Sequence, residues 1–147
     1  MSKPAAVIDL GTNTFHLLIV KSISDGKLEE IYRERVFVKL ASNGIERIGD
    51  VPYQKAVYTM VSFKNILDQY GITNVRAIGT AALRTASNGP ELVKEIFSKT
   101  GIQIELISGD EEARLIHKGV THAVPIHDSN VLIMDIGGGS VEFIIAN

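Results

Sequence analysis

Asp9 and Asp135 occupy equivalent places in this chain. Asp9 follows the apolar run Ala6-Val7-Ile8 and Asp135 follows Leu132-Ile133-Met134; after each come an aliphatic residue, a glycine turn and a hydroxyl, Thr14 in one copy and Ser140 in the other. Carboxylate oxygens are hard ligands suited to Mg²⁺ shared with phosphate, and glycine turns let backbone N–H groups approach an anion because no Cβ intervenes. Gly11, Gly137, Gly138 and Gly139 are therefore candidate phosphate-binding positions, and Thr12, Thr14 and Ser140 can add hydroxyl donors. A tight turn needing φ > 0 explains one or two such glycines but hardly three in succession. Turn capping explains either aspartate alone as well as metal binding does; its recurrence in one register shifts the balance toward function.

Three further residues have the right chemistry. Ser108 to Glu111 has the spacing of a capping box, which gives Glu111 a structural task and leaves Glu112, about 100° further round the helix, free to orient a water for attack on phosphorus. The commoner explanation of Glu112 is a carboxylate favoured by the helix dipole. Arg84 follows a strand closely, and its guanidinium matches phosphate bidentately, although an Arg near a helix start is usually a solvated surface residue. Glu142 lies on an otherwise apolar strand, where a buried carboxylate needs a metal, a cation or exposure. His16 takes the equivalent place in the first hairpin and is more often a core or edge histidine than a ligand.

The elements that must position these residues are legible from periodicity. Ala6 to Leu10 and Phe15 to Lys21 read as a hairpin, and after a turn at Asp25-Gly26 the stretch Leu28 to Leu40 reads as a half-exposed or edge strand. From Asp50 the period changes to three and four, with Tyr53, Ala56, Val57, Met60, Phe63, Leu67 and Tyr70 on one face and Gly71 as a stop. Asn74 to Gly79 is a short buried strand. Asn88-Gly89-Pro90 caps a second helix with the apolar face Leu92, Val93, Ile96 and Phe97, closed by Gly101. Gln103 to Ile107 is a strand, a third helix starts after Ser108 and fades between Gly119 and Pro125, and Val131 to Ile136 with Val141 to Ala146 form a last hairpin. The order β-β-β-α-β-α-β-α-β-β implies an α/β fold with a mixed five-stranded sheet.

The two Asp-aliphatic-Gly hairpins align at one constant offset, so each is expected to open a similar domain: residues 1–125 the first, residues 126–147 the truncated start of the second. The sequence is on this reading a fragment. The final hairpin, without the sheet it belongs to, is expected to pack on the first lobe, to pair with another copy, or to be mobile. With 147 residues at 45% hydrophobic content there is enough chain for one full core. A formal charge of -2 offers no global field for a polyanion, so duplex nucleic acid is not an expected partner. Absence of Cys excludes disulfides and Cys-based zinc sites. Asp9, Asn13 and His16 interrupt the first apolar stretch, so neither a signal peptide nor a membrane span is expected, and the expected location is cytoplasmic.

Four ordered blocks resemble the signatures of the exopolyphosphatase / guanosine pentaphosphate phosphatase family: Ala6 to His16, Gly79-Thr80-Ala81-Ala82-Leu83-Arg84, Ser108 to Leu115, and Asp135-Ile136-Gly137-Gly138-Gly139-Ser140-Val141-Glu142. The resemblance implies two ribonuclease H-like domains of the actin-like ATPase superfamily with the active site in the cleft between them. It implies that Glu112 is the general base and that Arg84 contacts phosphate. The turns Gly11-Thr12-Asn13-Thr14 and Gly137-Gly138-Gly139-Ser140 would be the phosphate-binding loops, and Asp135 and Glu142, joined by Asp9, would support a catalytic Mg²⁺ or another divalent cation. The implied reaction removes the terminal phosphate of polyphosphate or guanosine pentaphosphate, and the implied assembly of the intact protein is a homodimer. The family commonly has Thr where Val141 stands, which removes a hydroxyl contact. With most of the second domain missing, this chain alone is expected to show little or no turnover. An ATP-dependent kinase of the same superfamily and a non-catalytic alarmone- or phosphate-binding module are the competing readings.

Overall fold

The computed structural model describes residues 3–23, 27–124 and 130–146. The turn expected at Asp25-Gly26 and the boundary expected between residues 125 and 126 lie outside the described residues.

Strand β1 (Ala5–Leu10) pairs antiparallel with β2 (Thr14–Ser22), which pairs antiparallel with β3 (Leu28–Phe37). Helix α1 (Asp50–Gln69) then carries the chain across to β4 (Val75–Gly79), parallel to β1, and the short α2 (Ala81–Thr85) and longer α3 (Gly89–Thr100) lead to β5 (Ile104–Leu106), parallel to β4. The strand order β3-β2-β1-β4-β5 is a mixed five-stranded ribonuclease H-like sheet. Helix α4 (Gly109–Ala123) follows, and β6 (Val131–Ile136) with β7 (Val141–Ala146) form a separate two-stranded antiparallel sheet. No described helix is long and apolar enough to cross a membrane.

Alternation along the strands separates the two faces of the sheet. Ala6, Ile8 and Leu10 of β1, Phe15, Leu17 and Ile19 of β2 and Ala77 of β4 are buried with Met60, Phe63 and Leu67 of α1 and Leu92 and Ile96 of α3 in one core. Each large side chain so buried contributes on the order of 1.5–3 kcal/mol. The register Arg35–His16–Asp9–Ile78–Glu105 runs across all five strands, so these residues share the opposite face.

Several local expectations need correction. Strand β3 stops at Phe37 instead of reaching Leu40, because Val38 and Lys39 donate their N–H groups to the carbonyl of Asn13, and Leu40 donates to that of Thr12. Lys39 takes the left-handed conformation, φ 57°, where the chain turns. Tyr70 and Phe97 are exposed: Tyr70 is the C-cap of α1 and its ring lies 5.5 Å from that of Tyr32. Helix α2 escaped the periodicity because five residues make too short a window for a 3.6 period. Helix α4 ends at Ala123, inside the stretch between Gly119 and Pro125 where it was expected to fade. Ser108 caps it as expected, accepting from the N–H of Glu111 at 3.2 Å. The Glu111 carboxylate, however, does not reach back; it pairs with Arg114 one turn on. Of the three arrangements open to the last hairpin, the structure has the first, with β7 packed on α4.

Asn88 stands at the N-cap of α3 without capping it. Its buried side chain instead accepts from the N–H of Ile48 and donates to the carbonyl of Ile48, both at 2.9 Å, tying the segment before α1 to the start of α3. Asn88→Ala strands both groups, and the stability of the chain should fall by about 2–4 kcal/mol. A urea midpoint equal to that of the parent would show that the tie is replaceable.

Candidate phosphate site

Strands β1, β4 and β5 run parallel, so the bends that follow them gather at one end of the sheet. Backbone bonds stitch these bends together: Thr80 donates to the carbonyl of Leu10 at 3.4 Å and Ile107 to that of Gly79 at 3.1 Å. Here the β6–β7 bend meets the β1–β2 bend across a cleft of about 410 Å³. Asp9, the Gly11 to Thr14 bend, Glu112, Asp135 and the Gly137 to Ser140 bend all line it.

The two bends are built alike. In each the glycine N–H closes the turn on a carbonyl three residues later, Gly11 on Thr14 at 3.1 Å and Gly137 on Ser140 at 3.0 Å. The register repeats too, with Asp9 opposite His16 and Asp135 opposite Glu142. Gly11 and Gly137 thus spend their amides on shaping the bends. Among the described residues the N–H groups of Thr12, Asn13, Gly138 and Gly139 have no backbone partner and remain as donors. The glycines are not there for positive φ, which occurs only at Gly44, Gly71 and Gly101 among the described glycines. They are there for close approach: a Cβ on Gly139 would lie 2.5 Å from Oγ1 of Thr12 and 3.3 Å from Cβ of Ala81, and one on Gly138 would overlap the Asn13 amide.

Four carboxylates crowd this region. Burial, and secondarily repulsion from Asp135, raises the proton affinity of Asp9, while nearby His16 opposes the rise. Glu112 is raised chiefly by burial and then by repulsion from Glu142, with Arg84 drawing it down. The Arg84 guanidinium sits 3.6 Å from Oε2 of Glu112, close enough to attract as an ion but too far for a hydrogen bond. Oε2 is therefore buried with no hydrogen-bond partner among the described residues. Such an orphan oxygen beside a polar cleft suits a bound water. Arg84 itself is anchored on the carbonyl of Ile107 and does not line the cleft. Glu142, paired with Asp135 across the hairpin, is buried and does not line it either.

No three His, Asp or Glu side chains among the described residues converge closely enough to hold a metal ion by themselves. Mg²⁺ usually takes only one or two carboxylates, with water and phosphate completing its shell. Asp9 and Asp135, hard oxygen donors that repel one another across the cleft, fit that pattern.

Sequence reasoning did not single out Arg35, Phe37 or Thr80 as cleft residues, and it read His16 as a core or edge histidine. Arg35 and Phe37 come from β3, His16 from β2 and Thr80 from the end of β4. Strand alternation puts His16 and Arg35 on the face of Asp9, a signal readable only once the register is known.

A sequence model of the Ppx/GppA phosphatase family matches residues 19–147. The crystal structure of an exopolyphosphatase from Cytophaga hutchinsonii superposes with a TM-score of 0.95 at 43% identity over 99% of this chain and 47% of that one. The Ppx/GppA family member from Aquifex aeolicus gives 0.84 at 25% identity, over 99% of this chain and 48% of that one. An exopolyphosphatase-like protein gives 0.87 at 30% identity, over 99% of this chain and 45% of that one. This chain spans about half the length of the structures it matches.

The raised proton affinity of Asp9 has a thermodynamic sign. A carboxyl that holds its proton more tightly when folded lends stability below its ordinary value of 3.8 and loses that contribution as pH rises through the folded value. In the absence of divalent cations, Asp9→Asn should gain melting temperature relative to the parent between acid and neutral pH. Parallel pH profiles for the two proteins would mean that Asp9 is not held in a repulsive, desolvated place.

Proposed function

This chain belongs to the Ppx/GppA phosphatase family, and we propose that it forms the first lobe, and one wall of the active cleft, of an enzyme that hydrolyses the terminal phosphate of inorganic polyphosphate or guanosine pentaphosphate. In this reading residues 1–125 are the first domain and residues 126–147 open a second, in a cytoplasmic homodimer. The observation that carries it is the buried, unpartnered Oε2 of Glu112 beside a cleft framed by two matching glycine bends.

The terminal phosphate lies between the bends, its oxygens accepting from the N–H groups of Thr12, Asn13, Gly138 and Gly139 and from the hydroxyls of Thr14 and Ser140. A water held by Glu112 attacks phosphorus; its proton passes to the carboxylate, the anhydride P–O bond breaks, and the shortened chain leaves as an oxyanion with orthophosphate as co-product. Burial and Glu142 raise the basicity of Glu112. Arg84, anchored on the Ile107 carbonyl with its guanidinium 3.6 Å from Glu112, opposes that rise by its charge. Asp9 and Asp135 are the residues that would hold Mg²⁺, which would neutralise phosphate charge when bound, while Glu142, off the cleft, would act on Glu112 and not as a ligand.

In the intact protein with Mg²⁺, phosphate release should be seen from polyphosphate or guanosine pentaphosphate. Glu112→Gln should lower kcat by about 10²–10⁴-fold while leaving substrate affinity within a few-fold. Equal turnover by parent and variant would remove Glu112 as the base, and retained binding without any turnover in the parent would favour a sensor.

A further inference from the structure

The cleft has a cationic side that the hydrolytic step does not use. Among the described arginines, Arg33, Arg76, Arg84 and Arg114 each have a carboxylate within 4.0 Å, whereas Arg35 and Arg47 have none, and of these two only Arg35 lines the cleft. The Arg35 guanidinium lies over the ring of Phe37, 4.7 Å from the centroid, and both side chains line the cleft. Phe37 is 52% exposed, so its ring face is open to the guanidinium it carries.

Resting on the hydrolytic reading above, we propose that Arg35, posed on Phe37, is a specificity-determining contact for the phosphate chain behind the terminal phosphate. Arg35 stands in register with His16 and Asp9, two strands away from the catalytic end of the row. Strands in a sheet are spaced by about 4.8 Å, so the backbones at Asp9 and Arg35 are about 10 Å apart. A chain of several phosphate units spans that distance more readily than one orthophosphate does. Strand β3 is an edge of the sheet, so a chain passing over Arg35 runs outward to solvent and its length is not limited by a wall in this lobe. The aromatic ring holds the guanidinium without neutralising it, and the planar fork then presents paired donors to successive phosphate oxygens. A carboxylate partner would have competed with the ligand.

The same tail chemistry occurs in linear polyphosphate and in the oligophosphate of a nucleotide, and the substrates separate the two. Steady-state kinetics of the intact protein would be compared for parent, Arg35→Gln, Arg35→Lys and the control Arg33→Gln, on tripolyphosphate, long-chain polyphosphate and guanosine pentaphosphate. Arg35→Gln should raise KM for long-chain polyphosphate about tenfold with kcat within twofold, the loss expected for one charge-assisted contact made equally in ground and transition states. Tripolyphosphate should be less affected, Arg35→Lys should recover part of the loss, and the salt dependence of KM should flatten in Arg35→Gln. A KM shift confined to guanosine pentaphosphate would assign the contact to a nucleotide and overturn the linear chain as its ligand. Unchanged KM on every substrate, or an equal shift from Arg33→Gln, would overturn the assignment. Should the parent release no phosphate at all, the hydrolytic reading fails by itself, and direct titration of the proteins with long-chain polyphosphate still decides Arg35 by whether Arg35→Gln binds more weakly.

Discussion

Two loops far apart in sequence touch where there is no room for a Cβ. Gly138 rests on Asn13 and Gly139 on Thr12, and this contact places a second set of unpaired amides opposite the first. The rest of the site is arranged around that approach. Asn13 is held from behind by the N–H groups of Val38 and Lys39, and Thr12 by that of Leu40, so the bend that receives the glycines is braced by the segment leaving β3. Backbone donors fixed in this way need little reorganisation to meet an anion, which is the main means by which phosphoryl-transfer sites lower their barrier.

Opposing that economy is a crowd of like charges. Burial, with Asp135 beside Asp9 and Glu142 beside Glu112, raises the proton affinities of Asp9 and Glu112, a state that costs stability in the absence of a cation. The arrangement is understandable if an anionic ligand enters together with a divalent ion, because each then relieves the field that excludes the other. Arg84 is the local cation beside Glu112 and Arg35 the one at the sheet edge. They differ in kind: Arg84 is tied to a carbonyl and faces a carboxylate, while Arg35 has an aromatic ring under it and, among the described residues, no carboxylate within 4.0 Å.

Helix α4 connects these parts. It presents Glu112 to the cleft in its first turn and carries β7 on its side, yet none of its residues is buried. The outer face of the β6–β7 hairpin is equally open, with Leu132, Met134, Ile136, Val141, Phe143 and Ile145 all exposed. Strand alternation assigns Glu142 to the inner face and these six side chains to the outer one, a pattern suited to a covered sheet.

Element types, the mixed sheet and the doubled hairpin were legible in the sequence because each rests on local periodicity and on repeated residue types. Asp9, Asp135, Glu112 and the two glycine bends could be picked out for the same reason, since strand ends and helix starts are local features. Contacts across the fold were not legible. Asn88 looks like a helix cap until Ile48 comes within reach of both its amide atoms, and Glu111 looks like half of a capping box until Arg114 takes its carboxylate. The glycines at the site suggest close approach of an anion to the backbone, whereas Gly138 and Gly139 leave room for another loop. His16 and Arg35 enter the cleft only through the register of three strands, and Arg84 leaves it only through its bond to Ile107. Residue type and spacing determined which groups could do chemistry; tertiary structure decided which of them face the same space, because register and loop contact depend on partners that no local pattern encodes.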